Sequence, residues 1–296
     1  MRYKDRDTIS IIGAGKVGST LAMLFYRVGY RIVSVISQKK NSARRLARLA
    51  GCKKYSNSLS DIHPATRIIL IAVPEGNISE IVKKITKHRH LDFSKLVVFH
   101  TSGLLTSDVL LPLQMKGAMT FSLHPLQSFS KASTLEYQMT QMKNVIYGFE
   151  GKNISLPLAR QLVKDLCGKL VRIPKEEKIL YHIACVFASN YSIVLLGVID
   201  DLAKRIGSGI KLAHFKPIVK TSIENAFELT PKMALTGPIA RGSSSTVENH
   251  LHELRKIDKP LSLLYQHIGL QALKMVVMRK SINPKIANQI RQILES

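Results

Sequence analysis

The sequence predicts an α/β protein, with an N-terminal doubly wound parallel sheet followed by an all-α C-terminal domain. Three observations carry this prediction. An apolar β-rich run, Thr8–Ile12, passes directly into Gly13-Ala14-Gly15-Lys16-Val17-Gly18 and then into helix-spaced apolar residues. Short apolar strands then recur along the first half of the chain. From Pro174 onward the pattern is helical only. The 296 residues suffice for two such domains, expected at 1–150 and 151–296.

The elements follow in order. Val17, Leu21, Leu24, Phe25 and Val28 recur at helical spacing until Gly29 stops the helix, and Arg31–Ile36 is the next strand. Arg67–Val73 is a fourth strand, closed by Pro74-Glu75. Leu96–Phe99 is a fifth, closed by His100–Gly103, and Gly117–Leu123 a sixth, closed by His124-Pro125. Asn144–Phe149 is a further strand. A long helix is expected from about Lys175 to Arg205, with Lys178, His182 and Ser189 on one face and Asn190 beside it. Shorter helices are expected near 211–228, 246–257, 260–280 and 284–295. Between the first two lies a glycine- and proline-bearing loop, Thr236–Thr246, in which Arg241 stands among small residues.

The glycines have separate physical tasks. Gly13 permits a tight turn, Gly15 lets a pyrophosphate approach the backbone, and Gly18 lets the helix pack closely on the strand. The helix start then offers unpaired N–H groups and a positive dipole end to phosphates. The turn residues Gly13, Gly15, Lys16, Val17 and Gly18 are therefore candidate contacts for a dinucleotide. A site for NAD(H) usually has an acidic residue at the end of the second strand to hold the ribose 2′-hydroxyl. Here no acidic residue occurs between Asp7 and Asp61, and the strand ends in Ser37-Gln38-Lys39-Lys40, with Arg44 and Arg45 following. A hydroxyl and two ammonium groups suit a 2′-phosphate, so Ser37, Lys39 and Lys40 predict NADP(H). The arginines fit a solvated helix face equally well.

In an open parallel sheet, ligands sit beyond the carboxyl ends of the strands. That places Val73, Pro74 and Thr101 beside the cofactor, and Ser102, His100 and His124 in the same pocket. A histidine at a strand end is often only a hydrogen-bonded loop residue, which leaves the chemical role of each open. The ten histidines show no HExxH spacing, there is no GxSxG turn, and no paired-carboxylate pattern stands out, so no metal site is expected.

Composition limits the alternatives. The formal net charge is +24, divided almost evenly between the halves, so there is no basic arm. No zinc-finger, basic-zipper or aromatic RNA-binding signature accompanies it, and nucleic acid is not the expected partner. Cys52, Cys167 and Cys185 are too few and too scattered for a disulfide framework, which fits a reducing, cytoplasmic setting. The opening MRYKDRD runs straight into a strand and lacks the apolar core of a signal peptide. Between Lys178 and Asp200 no residue carries a formal charge, a stretch long enough to span a bilayer. With His182, Ser189, Asn190 and Ser192 inside it, the stretch is expected to be the buried central helix of the second domain, and no membrane partner is expected.

With these pieces placed, the chain resembles the Rossmann-like and DUF2520 domain proteins. These are similar to pyrroline-5-carboxylate reductase, ketopantoate reductase, prephenate dehydrogenase and the 6-phosphogluconate-dehydrogenase-like enzymes. The resemblance rests on GAGKVG (13–18), IAVPE (71–75), HTSG (100–103), SLHPLQSF (122–129), HIACVFASNY (182–191) and LTGPIARG (235–242). It implies an N-terminal Rossmann domain for NAD(P) and a helical domain, of the 6-phosphogluconate dehydrogenase C-terminal type, that forms a homodimer. It also implies that the long helix lines the active site with His182, Ser189 and Asn190, with Lys178 a weaker candidate one turn earlier. The group usually follows its Arg-Gly pair with Asp, whereas this chain has Ser243, so any role of that acid is absent or moved.

The expected function is an NADP(H)-dependent oxidoreductase. It would transfer a hydride to or from a small carbonyl, alcohol or imine that bears a carboxylate, in the cleft between domains. His124 or His182 would donate or relay the proton, Ser189 and Asn190 would bond the substrate heteroatom, and Arg241 and Ser102 would hold an anionic substrate. Two alternatives stand beside it: an NADP(H)-binding sensor without turnover, and a flavin- or deazaflavin-to-NADP hydride exchanger.

Overall fold

A computed structural model describes residues 7–296. The charged opening segment at 1–6, read above against a leader, lies outside the described residues. The chain divides into two compact units, the first ending at Val194 and the second beginning at Leu195.

The first unit is built on one eight-stranded sheet. Its strands are β1 (Thr8–Ile12), β2 (Arg31–Ile36), β3 (Tyr55–Ser56), β4 (Ile68–Ile71), β5 (Val97–His100), β6 (Met119–Pro125), β7 (Ile146–Gly151) and β8 (Lys169–Arg172). They lie in the order β3-β2-β1-β4-β5-β6-β7-β8, with every pair parallel except β6–β7. Helices α1 (Lys16–Arg27), α2 (Lys40–Leu49), α3 (Ile78–Ile85), α4 (Leu111–Gln114), α5 (Leu135–Thr140) and α6 (Leu156–Asp165) connect them. The reversal of strand order on either side of β1 is the topological switch point of a doubly wound sheet.

The period-two alternation of the strands builds a core on each face. Ile68 and Leu70 of β4 join Ile9, Phe25, Phe99, Phe121 and Phe149 on one face. Ile69 and Ile71 join Ile36, Ile78, Val82 and Val98 on the other. A sheet covered on both faces reads as an unbroken apolar run, which is why these strands are legible in sequence.

Two expectations need correction. The domain boundary drawn at 150/151 falls at the end of β7, inside the sheet. The segment β7-α6-β8 is a parallel crossover that returns to the same sheet, so the unit extends well past it. The long helix is present as α7 (Lys178–Val186) and α8 (Ser192–Ile206), joined by a π-helical turn over Phe187–Tyr191. That wide turn inserts extra backbone between the two α-helical segments, so a regular helical wheel drawn from Lys178 to Ser189 does not hold. The helix is also not buried. None of its most apolar 18-residue window is buried, and Leu180 and Ile193 are each 67% exposed. It is long and apolar enough to cross a membrane by length and composition, which is weak evidence when one helix alone has this property.

The second unit continues through α9 (Lys216–Leu229), α10 (Pro231–Ala234), α11 (Ser244–Ile257), α12 (Lys259–Met278) and α13 (Pro284–Glu295). Val247 and Leu251 of α11, Leu273 of α12 and Ala287, Ile290 and Leu294 of α13 form its core. The C-terminal region is helical, as its sequence pattern requires.

Candidate functional site

The glycine turn performs the tasks its spacing assigns. Gly13 has φ +106°, and a Cβ there would sit 2.2 Å from the Ala72 carbonyl oxygen. A Cβ on Gly18 would sit 1.9 Å from the Gly13 carbonyl oxygen, so α1 meets β1 only without side chains. Gly15 has open space where its Cβ would be. It caps α1 with no side-chain hydrogen bond, and the first turn carries no acidic residue. The N–H groups of that turn and the positive end of the helix are thus offered outward.

They open on a cleft of about 1260 Å³, lined by Gly13, Gly15, Ser37, Lys39, Val73 and Pro74. Lys84, Lys87 and Arg89 line the same cleft. The glycine cradle, the bare helix start and the cationic walls fit a dinucleotide that carries phosphates. Five predicted contacts fall elsewhere, Gly18 among them, since it is spent on packing α1 against β1. Lys40 opens α2 and is exposed, outside the cleft lining. Lys16 donates instead to the Ser133 carbonyl at 2.5 Å. Val17 packs against the core. Thr101 is half-buried and donates its backbone N–H to Ile71 at 3.2 Å.

Beyond the carboxyl ends of β5 and β6, the first unit gathers a compact polar cluster. Lys178, at the start of α7, is 2% exposed and donates to the Ser122 hydroxyl of β6. The Glu150 carboxylate of β7 lies 3.9 Å from the Lys178 ammonium and is itself buried. It accepts from both the backbone N–H and the hydroxyl of Ser107. Burial pushes the Lys178 ammonium down to about 8, while Glu150 and Glu75 oppose that shift.

Two histidines stand above this cluster. His124 of β6 pairs through Nδ1 with the Tyr181 hydroxyl at 2.8 Å. Burial first, then the Lys178 and His182 charges, hold His124 down at about 4, so it is neutral at physiological pH. Burial also raises the Tyr181 phenol, which stays protonated and is able to donate to Nδ1. In that arrangement Nε2–H of His124 is a donor on the Gly103 side of the ring. Gly103 explains how the second histidine fits: a Cβ there would lie 2.8 Å from Cδ2 of His182 and 3.1 Å from Nε2 of His124. The two rings converge over a glycine that has to be bare. Gly148 does the same for Tyr181, whose hydroxyl would lie 2.8 Å from any Cβ.

Ser102 and His100 shape the loop beneath. The Ser102 hydroxyl donates to Glu75 and accepts from the N–H groups of Leu104 and Leu105 at 3.1 and 2.9 Å. A serine hydroxyl has one proton and two lone pairs, and all are used. Ser102 thus positions the β5 loop, where sequence had assigned it to substrate. His100 accepts at Nδ1 from the Ser102 N–H and donates through Nε2 to Thr106, at 3.2 Å each. It is fully buried and pushed to about 3, mainly by burial, so it is a neutral staple of the loop.

The remaining predicted residues have contacts of their own. The Ser189 hydroxyl lies 2.7 Å from the Cys185 carbonyl and 2.8 Å from Oδ1 of Asn190, in the π-helical turn. Arg241 is exposed in the second unit, where its backbone N–H closes a turn onto Gly237 at 3.0 Å. Ser243 caps α11 through its backbone alone. Among the described residues no group of three or more His, Cys, Asp and Glu side chains is arranged to hold a metal. Sequence reasoning missed Glu150, Ser122, Tyr181 and the cleft cations Lys84, Lys87 and Arg89. Only Tyr181 carried a local signal, one helical turn after Lys178.

Residues 2–125 match a Rossmann-like domain, and residues 145–272 match DUF2520, a domain of unknown function. No curated protein sequence matches the chain. Solved structures that share the fold include the following. A Bacteroides fragilis protein, provisionally assigned as an NADP oxidoreductase, is 24% identical with TM-score 0.74, covering 92% of this chain and 99% of its own. A Thermotoga maritima protein is 25% identical with TM-score 0.71 over the same shares. An imine reductase from Myxococcus stipitatus, solved with NADP+, is 16% identical with TM-score 0.64, covering 96% of this chain and 99% of its own.

Proposed function

We propose that this chain, which joins a Rossmann-like domain to a DUF2520 domain, is an NADP(H)-dependent oxidoreductase acting on a small anionic carbonyl, alcohol or imine. The observation that carries this reading is the pairing of two sites on one sheet. A glycine-floored, cation-walled cleft opens at β1, β2 and β4, and a buried Lys178–Glu150 pair with two histidines stands at the ends of β5 and β6. The oxidoreductases among its structural neighbours support the same class of chemistry.

Gly15 and the first turn of α1 would hold the diphosphate, Ser37 and Lys39 the 2′-phosphate, and Val73 and Pro74 the nicotinamide ribose side. When bound, the nicotinamide supplies or accepts the hydride. The chain's own residues manage charge and protons. Lys178 places a positive field, little screened by water, near the position where negative charge develops on a reduced carbonyl or where a substrate carboxylate rests. His124, fixed by Tyr181, presents a neutral N–H donor to the substrate heteroatom. His182, half-buried beside it over Gly103, hands the proton over or takes it back. Glu150 keeps Lys178 charged in a site that burial would otherwise neutralise.

The second copy of the chain is the proposed partner of the apolar helix. Leu180, Phe187 and Ile193 expose a face that water does not favour, and an isologous contact covers it at no cost in new surface. A dimeric enzyme of this kind fits a cytoplasmic location.

The test is a panel of 2-oxo acids and cyclic imino acids assayed by NADPH oxidation, alongside NADPH titration by nicotinamide fluorescence. Turnover of one class with micromolar NADPH binding supports the reading. Tight NADPH binding with no turnover across the panel and its alcohol counterparts favours a sensor instead.

A further inference from the structure

The cleft that takes the glycine turn is lined by further cations. Lys84 and the residues just beyond α3, Lys87, His88, Arg89 and His90, line it together with Ser37 and Lys39. Among the described residues Glu80 is the only carboxylate lining the same cleft, and it is already paired with Lys84 at 2.6 Å. Lys87 and Arg89 therefore add two cations that Glu80 does not offset. His88 gives a second observation. Its Nε2 lies 3.1 Å from the Leu59 carbonyl, which accepts from it, while its Nδ1 is buried and has no hydrogen-bond partner. A buried acceptor nitrogen left unpaired is disfavoured unless a donor arrives to meet it.

We propose that the C-terminal end of α3 is part of the 2′-phosphoadenosine subsite. In it Lys87 and Arg89 grip the 2′-phosphate together with Ser37 and Lys39, and His88 Nδ1 accepts from a ribose hydroxyl or the adenine amine. This rests on the NADP(H) reading and sharpens it. A phosphate monoester carries between one and two negative charges at neutral pH, and charge-assisted bonds from several cations hold it better than one lysine does. The diphosphate has its own partner at the start of α1, so these cations are left for the remaining phosphate. Arg89 offers the planar fork that a tetrahedral oxyanion accepts in pairs.

The test is binding of NADPH, NADH, 2′,5′-ADP and 5′-AMP to wild type, to Lys87→Gln/Arg89→Gln, and to Lys143→Gln/Lys164→Gln as a charge-matched control away from the cleft. The expected result is at least about a tenfold loss of NADPH and 2′,5′-ADP affinity in the first variant, with NADH and 5′-AMP within about twofold. The control should lose little. His88→Ala should weaken all four ligands alike. Equal losses for NADPH and NADH, equal losses in the control, or no loss at all would each overturn the proposal while leaving the NADP(H) reading standing. Failure of wild type to bind either dinucleotide overturns both.

Discussion

The Lys178 ammonium and the Glu150 carboxylate face each other at 3.9 Å with both side chains buried, and each is anchored by a serine, Ser122 and Ser107 respectively. Burial favours the neutral amine and the carboxylate opposes it, which leaves the ammonium near 8. kcat/KM should therefore decline as pH rises through about 8. Glu150→Gln should move that decline to lower pH, because the charge that supports the ammonium is gone. Lys178→Met should lower kcat/KM by about a hundredfold or more and remove the limb altogether. A limb that stays put in Glu150→Gln would show that another group titrates.

The same shift has a sign for stability. The folded chain holds this proton less tightly than the unfolded one, about 8 against 10.5, so stability should rise with pH across that window. The contribution is about 3 kcal/mol, read as the difference in pH dependence of urea unfolding between wild type and Lys178→Met.

Lys39 and Lys40 are adjacent in sequence, but only Lys39 lines the cleft. Lys39→Glu should weaken NADPH about tenfold or more and leave NADH nearly unchanged. Lys40→Glu should do neither. Fluorescence titration of both nucleotides on each single variant separates the two, and equal effects would mean that only long-range charge is at work.

His100 is held near 3 while an unfolded histidine titrates near 6.5. The unfolded chain takes up the proton first as pH falls, so this stability is complete above 6.5 and is lost below it. Between pH 6.5 and 5 the loss is about 2 kcal/mol. His100→Asn should flatten that part of the stability profile in urea unfolding and leave the alkaline limb of kcat/KM in place.

Gly103→Ala drives a methyl group into the His182 and His124 side chains and not into backbone. The expected outcome is a folded protein with kcat lowered at least tenfold and a stability change of about 1–3 kcal/mol. Gly18→Ala drives one into the Gly13 backbone, which cannot move aside, and should cost more than Gly103→Ala in thermal melting.

Leu180→Asp/Ile193→Asp should convert a dimer into a monomer in sedimentation velocity, since both side chains are two-thirds exposed on the apolar helix. Wild type should not float with neutral-lipid vesicles. Flotation, or a monomeric wild type, would replace the second copy with another partner.

The tertiary structure decided the strand order and added β8 beside β7, while the sequence by itself determined the doubly wound sheet and the cofactor turn. Those features rest on local rules: apolar runs for strands covered on both faces, and glycines where a Cβ would strike backbone. Ser37 and Lys39 were legible because they follow β2 directly. The cluster at Lys178 was not legible, because Ser122, Glu150 and Lys178 come from β6, β7 and α7 and meet only when the sheet closes over α7. Likewise the cations beyond α3 had no link to Lys39 in sequence until the fold lined one cleft with both. The tertiary structure also decided which hydroxyls and rings were already spent. Ser102 and His100 are consumed by their own loop, while His124 and His182 are not, since a hydrogen bond's partner depends on distance in space and not on spacing along the chain.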